Sequence, residues 1–301
     1  MTEVRAGRRA VEITHPDKVL FPRDGITKLD LARHYAEVSA TMLPLVRGRP
    51  LLLRRYIEGI DRPGFIQQDA GTGGPSWVAR VETPRRGGGA IHHIVLHNRE
   101  TLVYLANQGA IETHAWTSRE SSLERPDRLV FDLDPPGEFD QARDAARSVR
   151  GMLEELGLRP WVMTTGSRGL HVVVPLRPEA DHQAVRSFAR EVAAALAERE
   201  PDALTVEQRL ARREGRLYLD VGRNAYGQTA VAPYSVRARD GAPVAAPLEW
   251  EELDDPGLTA RAWTLRTMPG RLAERGNPWA GIDRHRQSLR APARRLAARS
   301  A

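Results

Sequence analysis

The sequence predicts a mixed α/β chain of the α+β kind, with long antiparallel stretches. Three observations predict it. Two long segments, from Phe139 to Leu156 and from Asp181 to Arg199, carry apolar residues at helical spacing. Short runs rich in Val, Ile, Leu and Trp alternate with turn residues. Gly166-Ser-Arg-Gly169 sits between two such runs as a hairpin signal.

In chain order, a helix is expected to begin at Thr27. Its hydroxyl is a capping group, Asp30 stands at the capping-box position, and Leu29, Ala32, Ala36 and Met42 approximate one apolar face. Pro50 to Tyr56, Trp77 to Thr83 and Ile91 to Leu96 read as strands, the last two joined by Pro84 to Gly89. That glycine-rich tip, with Arg85 and Arg86, is expected to be mobile and to touch phosphate. Glu100 to Gly109 suits a helix, and Leu129 to Asp134 a strand stopped by Pro135 and Pro136. Trp161 to Thr165, Leu170 to Leu176, Leu217 to Val221 and Thr229 to Ser235 are further strands. In the helix after Asp181, the side chains Val185, Phe188, Val192 and Leu196 share one side.

At 301 residues the chain can bury one large core or two closely packed modules, so one catalytic unit is expected over residues 1–282. Residues 283–301 form a basic C-terminal segment that reads as a short helix or a disordered tail. No apolar run approaches the roughly 18 residues that cross a bilayer, so no membrane role is expected. The first residues carry charge but no apolar h-region, and cysteine is absent; both fit a cytoplasmic protein without disulfides. Lys and Arg outnumber Asp and Glu 45 to 39, giving +6, which makes an acidic partner plausible, nucleic acid first.

The sharpest chemical feature is Asp132-Leu-Asp134-Pro-Pro. On a strand these carboxylates share a face and repel, and a hard divalent cation with oxygen ligands resolves that repulsion. A strand running into an acidic turn has the same appearance. Asp220, ending another apolar run, is the third candidate carboxylate. Three such groups can hold two cations for phosphoryl transfer if they meet in space. Gly166-Ser167-Arg168-Gly169-Leu-His171 offers a hydroxyl, a guanidinium, backbone amides and an imidazole to phosphate; it also reads as a polar hairpin tip. His92, His93 and His97 resemble ligands, but His92 and His93 face opposite ways on a strand, so surface histidines are expected rather than a metal site.

The order of these segments resembles the polymerase family of bacterial DNA ligase D, a branch of the archaeo-eukaryotic primase superfamily. The resemblance is carried by His15-Pro-Asp-Lys18-Val-Leu-Phe-Pro, Thr27-Lys28-Leu-Asp, Ala106 to Trp116 with Glu112 and His114, the Asp132-Asp134 pair, Gly166 to His171, Asp220 with Asn224, and Ala232 to Arg237. It implies a primase-like two-module polymerase fold with a largely antiparallel catalytic sheet. It further implies Asp132, Asp134 and Asp220 as ligands of two Mn²⁺ or Mg²⁺ ions. His114, Ser167, Arg168, His171, Asn224 and Arg237 would bind the nucleotide. Lys18 and Lys28 would bind a DNA 5′-phosphate beside free amides at a helix start, and Phe65 would contact the template. The implied activity is template-dependent nucleotidyl transfer from NTP or dNTP onto a 3′-hydroxyl at gaps or broken ends. Ribonucleotides would be preferred, and the setting would be non-homologous end joining near the bacterial nucleoid, with Ku and a separate DNA ligase as partners. The family carries paired aromatics followed by Gln-Lys where this chain has Phe65-Ile66-Gln67-Gln68, and lysine where it has Arg168. Three other readings share parts of this pattern: a primase that starts chains de novo, a non-catalytic DNA-end-binding module, and a glycosyltransferase using Asp-x-Asp.

Overall fold

The element order follows from local chemistry closely enough that most segments form where their patterns place them. The computed structural model describes residues 2–85 and 87–299. Strands β1 (Thr2–Ala6) and β2 (Arg9–Ile13) form an N-terminal hairpin, followed by β3 (Val19–Phe21) and β4 (Ile26–Thr27). Helix α1 (Lys28–Val46) starts at the capping box expected from the sequence, with Asp30 N–H donating to Thr27 Oγ1 and Thr27 N–H to Asp30 Oδ2. Then come β5 (Leu51–Arg55), β6 (Phe65–Gln67), β7 (Arg80–Pro84), β8 (Ala90–Ile94), α2 (Arg99–Asn107) and β9 (Ala110–Trp116). The second half comprises β10 (Arg128–Leu133), α3 (Phe139–Glu155), β11 (Trp161–Thr164), β12 (Leu170–Pro175) and α4 (His182–Arg199). It ends with β13 (Leu204–Thr205), β14 (Leu217–Tyr218), β15 (Thr229–Val231), β16 (Pro247–Leu248), α5 (Met268–Arg275) and α6 (Arg290–Ala297).

Two four-stranded antiparallel sheets organise the molecule. The first runs β15-β9-β5-β6 and the second β10-β12-β11-β16. On the second sheet, Phe131, Leu133, Val172 and Val174 bury against α3 and α4 through Ala142, Val149, Phe188 and Val192. The alternate residues Val130, Met163 and Val173 face the other way and join the core that α1 and α2 build around Leu51 and Leu53. Period-two alternation thus gives the second sheet one face for its own helices and one for the first sheet.

Several expectations need correction. The N-terminal hairpin was not anticipated, because its alternation is masked by charges; its turn is held by Glu100, whose Oε1 accepts from Arg8 N–H at 2.8 Å and Arg9 N–H at 3.1 Å. The strand expected over 217–221 ends at Tyr218, and that expected over 229–235 ends at Val231. His93 is buried rather than superficial, hydrogen-bonded to Thr83 Oγ1 at 3.0 Å and edge-on to Trp116. His92 and His97 instead sit beside Glu82 and Glu120. The basic C-terminal segment contains α6, and Gln287 donates to Pro175 O and accepts from Arg177 N–H, so the segment is paired to the end of β12. At the 84–89 tip, Arg85 pairs with Asp69 rather than extending free; Arg86 lies outside the described residues. No helix among the described residues is long and apolar enough to cross a membrane.

The sheets are also held by buried charge. Asp127, just before β10, takes Arg49 at 2.6 Å and Arg119 at 2.7 Å, both from the ends of first-sheet strands. Arg119 and Arg128 reach on to Asp283, tying in the C-terminal segment. Burial opposes ionisation of Asp127, but Arg49, Arg128 and Arg119 outweigh it and hold the carboxyl well below the ordinary range. Asp127→Asn is expected to cost about 3 to 5 kcal/mol, because it leaves the buried Arg49 guanidinium without a counter-charge. A urea midpoint shift measures it. The folded carboxyl's pKa is depressed, so its contribution is present above the unfolded-state value near ~3.9 and lost as pH falls below it. Wild type should therefore lose stability more steeply than the variant on acidification below that value.

Candidate active site

The carboxylates converge because of register. Asp132 on β10 lies opposite His171 on β12 and, across the other edge of β10, opposite Asp220. Asp132 N–H donates to Asp220 O at 2.9 Å and Asp220 N–H returns to Asp132 O at 3.3 Å. Directly opposed residues in antiparallel pairs project to the same face, so His171, Asp132 and Asp220 form a row on the face turned toward the first sheet. Asp134, two residues beyond Asp132, opens at the strand's end.

The row is electrostatically loaded. Asp132 is buried, with Arg223 Nε at 3.0 Å and His171 Nε2 at 3.4 Å. Burial disfavours its charge, yet His171 and Arg223 hold its carboxyl well below the usual range. Asp134 moves the other way: burial, then the Asp132 charge, push it up, with Arg168 3.6 Å away opposing. Asp220 accepts from Gly222 N–H at 2.7 Å. Among the described residues no three His, Asp or Glu side chains stand ready as a metal cage. Asp132 is engaged by Arg223 and His171, and Asp220 by its own turn. The donor set nonetheless fits a hard divalent cation: all ligands are oxygen, two adjacent carboxylates repel, and Asp134 is raised by burial and then by that repulsion.

A second hub lies on the first sheet. Glu112 and His114 share a face of β9, and Glu112 lies opposite Arg54 on β5. Glu112 is buried and takes His114 Nε2 at 3.0 Å, Arg237 Nε at 3.4 Å and the Ala238 N–H at 3.0 Å. Burial opposes its charge, but His114 and Arg237 pull it down to about 2. His114 is itself lowered by burial against the pull of Glu112. Arg237 also donates to Thr165 O at 2.6 Å, at the root of the 166–169 turn, so one side chain spans both sheets. Ser167 and Arg168 sit on that turn, Ser167 O accepting from Arg261 at 2.8 Å. Glu112 and Arg223 were not among the sequence-predicted site residues; their signal was spacing, two before His114 on one strand face and three after Asp220.

Two expected roles look different in three dimensions. Asn224 is fully buried, its Oδ1 accepting from Val130 N–H at 2.9 Å and its Nδ2 donating to Val130 O and Val221 O. It fastens the 221–224 turn to β10 and presents no surface to a nucleotide. Lys18 and Lys28 do come together. Lys28 is buried, donates to Thr14 O at 2.7 Å, and is lowered by burial and by Lys18; Lys18 pairs with exposed Glu58 at 2.7 Å. The helix-start amides expected to be free are used: Lys28 N–H donates to Lys18 O and Leu29 N–H to Pro16 O. Any anion site there rests on the ammonium groups. Phe65, on edge strand β6, is 46% exposed under the Arg55 guanidinium, and Ile66 beside it is 63% exposed.

Residues 27–279 match the family described as "LigD, primase-polymerase domain". The chain is 34% identical over 278 residues to the multifunctional non-homologous end joining protein LigD of Mycolicibacterium smegmatis, covering 91% of this chain and 36% of that protein. It is 35% identical to LigD of Pseudomonas aeruginosa, covering 97% and 35%, and 31% identical to the bifunctional LigD of Bacillus subtilis, covering 92% and 45%. The chain thus spans less than half the length of these relatives. Among solved structures it matches the polymerase domain of Mycobacterium tuberculosis ligase D in complex with DNA, with a TM-score of 0.85 and 32% identity, covering 92% of this chain and 99% of that one.

Asn224 generates a structural test. Asn224→Ala strands the Val130 N–H and its carbonyl partners in the core, which should cost about 2 to 4 kcal/mol. Thermal unfolding measures it, and hydrogen exchange should show lost protection at Val130.

Proposed function

This chain belongs to the LigD primase-polymerase family, and from that premise we propose that it transfers a nucleoside monophosphate from an NTP or dNTP to a 3′-hydroxyl at DNA gaps or broken ends. The observation that carries the reading is the row His171, Asp132, Asp220, with Asp134 at its mouth 3.6 Å from Arg168 of the 166–169 turn, whose root at Thr165 O is held by Arg237.

Asp132, Asp134 and Asp220 would hold two Mn²⁺ or Mg²⁺ ions, which when bound neutralise charge on the reacting phosphoryl group and activate the attacking hydroxyl. Arg223 and His171 keep Asp132 ionised, the state a ligand requires. Arg168 and Arg237 offer guanidinium donors to the triphosphate, with Ser167, His171 and His114 beside them. Glu112 acts at one remove: it aims Arg237 and fixes the His114 ring. Asn224 positions Asp220 by holding its turn to β10. A preference for ribonucleotides, a role in non-homologous end joining, and Ku and a separate ligase as partners extend the same family reading. Phe65 and Arg55 at the open edge of the first sheet offer a stacking platform to a template base.

The experiment is incubation of a 5′-phosphorylated gapped duplex with Mn²⁺ and labelled NTPs or dNTPs, where addition of nucleotides is expected. Asp132→Ala, Asp134→Ala and Asp220→Ala should each abolish addition while leaving duplex binding intact or slightly tighter, since each removes a charge that repels phosphate. Near-normal extension by all three would exclude this site.

Buried Lys28 and partly buried Lys18, the latter paired with exposed Glu58, lie close enough to share a 5′-phosphate across the gap. Replacing both by alanine is expected to cost on the order of 1 to 3 kcal/mol in binding to gapped duplexes bearing the phosphate. Binding to duplexes without it should hardly change, with both measured at one salt concentration.

A further inference from the structure

Beside Asp220, on the side away from the 166–169 turn, lies a groove of about 590 Å³ that the assignments above leave unused. It is lined by Arg186 and Arg190 of α4, Gln208, Tyr218, Asp220 and Gly222. Arg186 and Arg190 are one helical turn apart, so they project from one face about 5 to 6 Å apart at Cβ. That is close to the spacing of neighbouring phosphates along a strand. Arg213 stacks its guanidinium on Tyr218, 4.5 Å from the ring centroid. Among the described residues no carboxylate pairs with Arg186 or Arg190, and Arg186 Nε is buried with no partner. Most other arginines near the sheets are paired or bonded to carbonyls. Cations left unpaired around a groove mark a place for an external anion.

The position of the groove says which anion. Across the second sheet the order is the 166–169 turn with Arg237, then His171, Asp132 and Asp220, then the groove. In phosphoryl transfer the leaving and attacking oxygens lie roughly in line on opposite sides of the transferred group. A triphosphate held by the turn and Arg237 puts its leaving pyrophosphate on that side. The attacking hydroxyl must then arrive from the Asp220 side, and its strand trails away from there.

We propose that the Arg186–Arg190 groove binds the phosphodiester backbone of the strand being extended, just upstream of its 3′-hydroxyl. This rests on the nucleotidyl-transfer reading and adds to it the path of one strand. Arg186 and Arg190 are positioning residues: they seat the strand so that its terminal hydroxyl reaches Asp220. Tyr218, braced by Arg213, gives the groove a rigid wall.

The test compares wild type, Arg186→Ala/Arg190→Ala and Arg186→Lys/Arg190→Lys on two duplexes. Both carry template and 5′-phosphorylated downstream strand; only one carries the upstream strand with its 3′-end. For the alanine variant, the KM for the upstream-strand substrate should rise at least 10-fold, with the KM for nucleotide unchanged. Direct binding without nucleotide should weaken only for the duplex that has the upstream strand, and its log–log salt slope should fall by roughly 1.5. The lysine variant should recover most of this. Equal weakening on both duplexes, or no change on either, overturns the groove assignment while wild-type extension leaves the enzymatic reading intact. Failure of wild type to extend any substrate would instead sink that reading, and this inference with it.

Discussion

The mutual placement of the two sheets depends on charge buried between them. At one end Asp127 gathers Arg49 and Arg119; at the other Glu112 gathers His114 and Arg237. Such groups are tolerated only when each is paired and hydrogen-bonded, since an isolated buried charge costs several kcal/mol, roughly what a whole domain has in reserve. The pairing is therefore geometrically exacting. A shift of one sheet on the other by even one residue would strand these groups, so the apolar core supplies adhesion while the buried pairs select one alignment. The cleft inherits that alignment. Arg237 touches Glu112 on the first sheet and Thr165 O at the end of a second-sheet strand, so its guanidinium is fixed by the interface itself.

The turn beside the carboxylates is constrained almost as tightly. A Cβ at Gly169 would stand 1.9 Å from Leu133 O, and one at Gly166, whose φ is +63°, would stand 2.9 Å from Ala245 N. Only glycine lets the 166–169 backbone lie directly on the strand that bears Asp132 and Asp134. Close approach places Ser167 and Arg168 near the carboxylate row without a long loop, whose ordering would cost more conformational entropy.

The carboxylate row conflicts with the rest of the fold, which otherwise satisfies its charges locally. Asp132 needs His171 and Arg223 to remain ionised, while Asp134 beside it is pushed toward protonation. Like charges held together by β-register store unfavourable energy, so the row is arranged at a cost to stability. The unpaired arginines beyond Asp220 are the same imbalance with opposite sign.

By itself the sequence determined what is local. The Thr27 capping box, the helices 139–155 and 182–199, the hairpin at 166–169 and the shared face of Asp132 and Asp134 were legible because each depends on residues a few positions apart, through side-chain periodicity or a single hydrogen bond. The order of motifs carried the family as well. What tertiary structure alone decided is everything that requires a partner distant in the chain. It set Asp220 opposite Asp132, spent the amide of Asn224 on Val130, consumed the first amides of α1 on the carbonyls of Lys18 and Pro16, and buried His93 on Trp116. It also folded the basic C-terminal segment against Asp127 and β12 through Arg286 and Gln287. The physical reason is that a backbone or side-chain donor shows its type in the sequence but not its partner, and between sheet strands the partner is chosen by long-range packing of apolar faces.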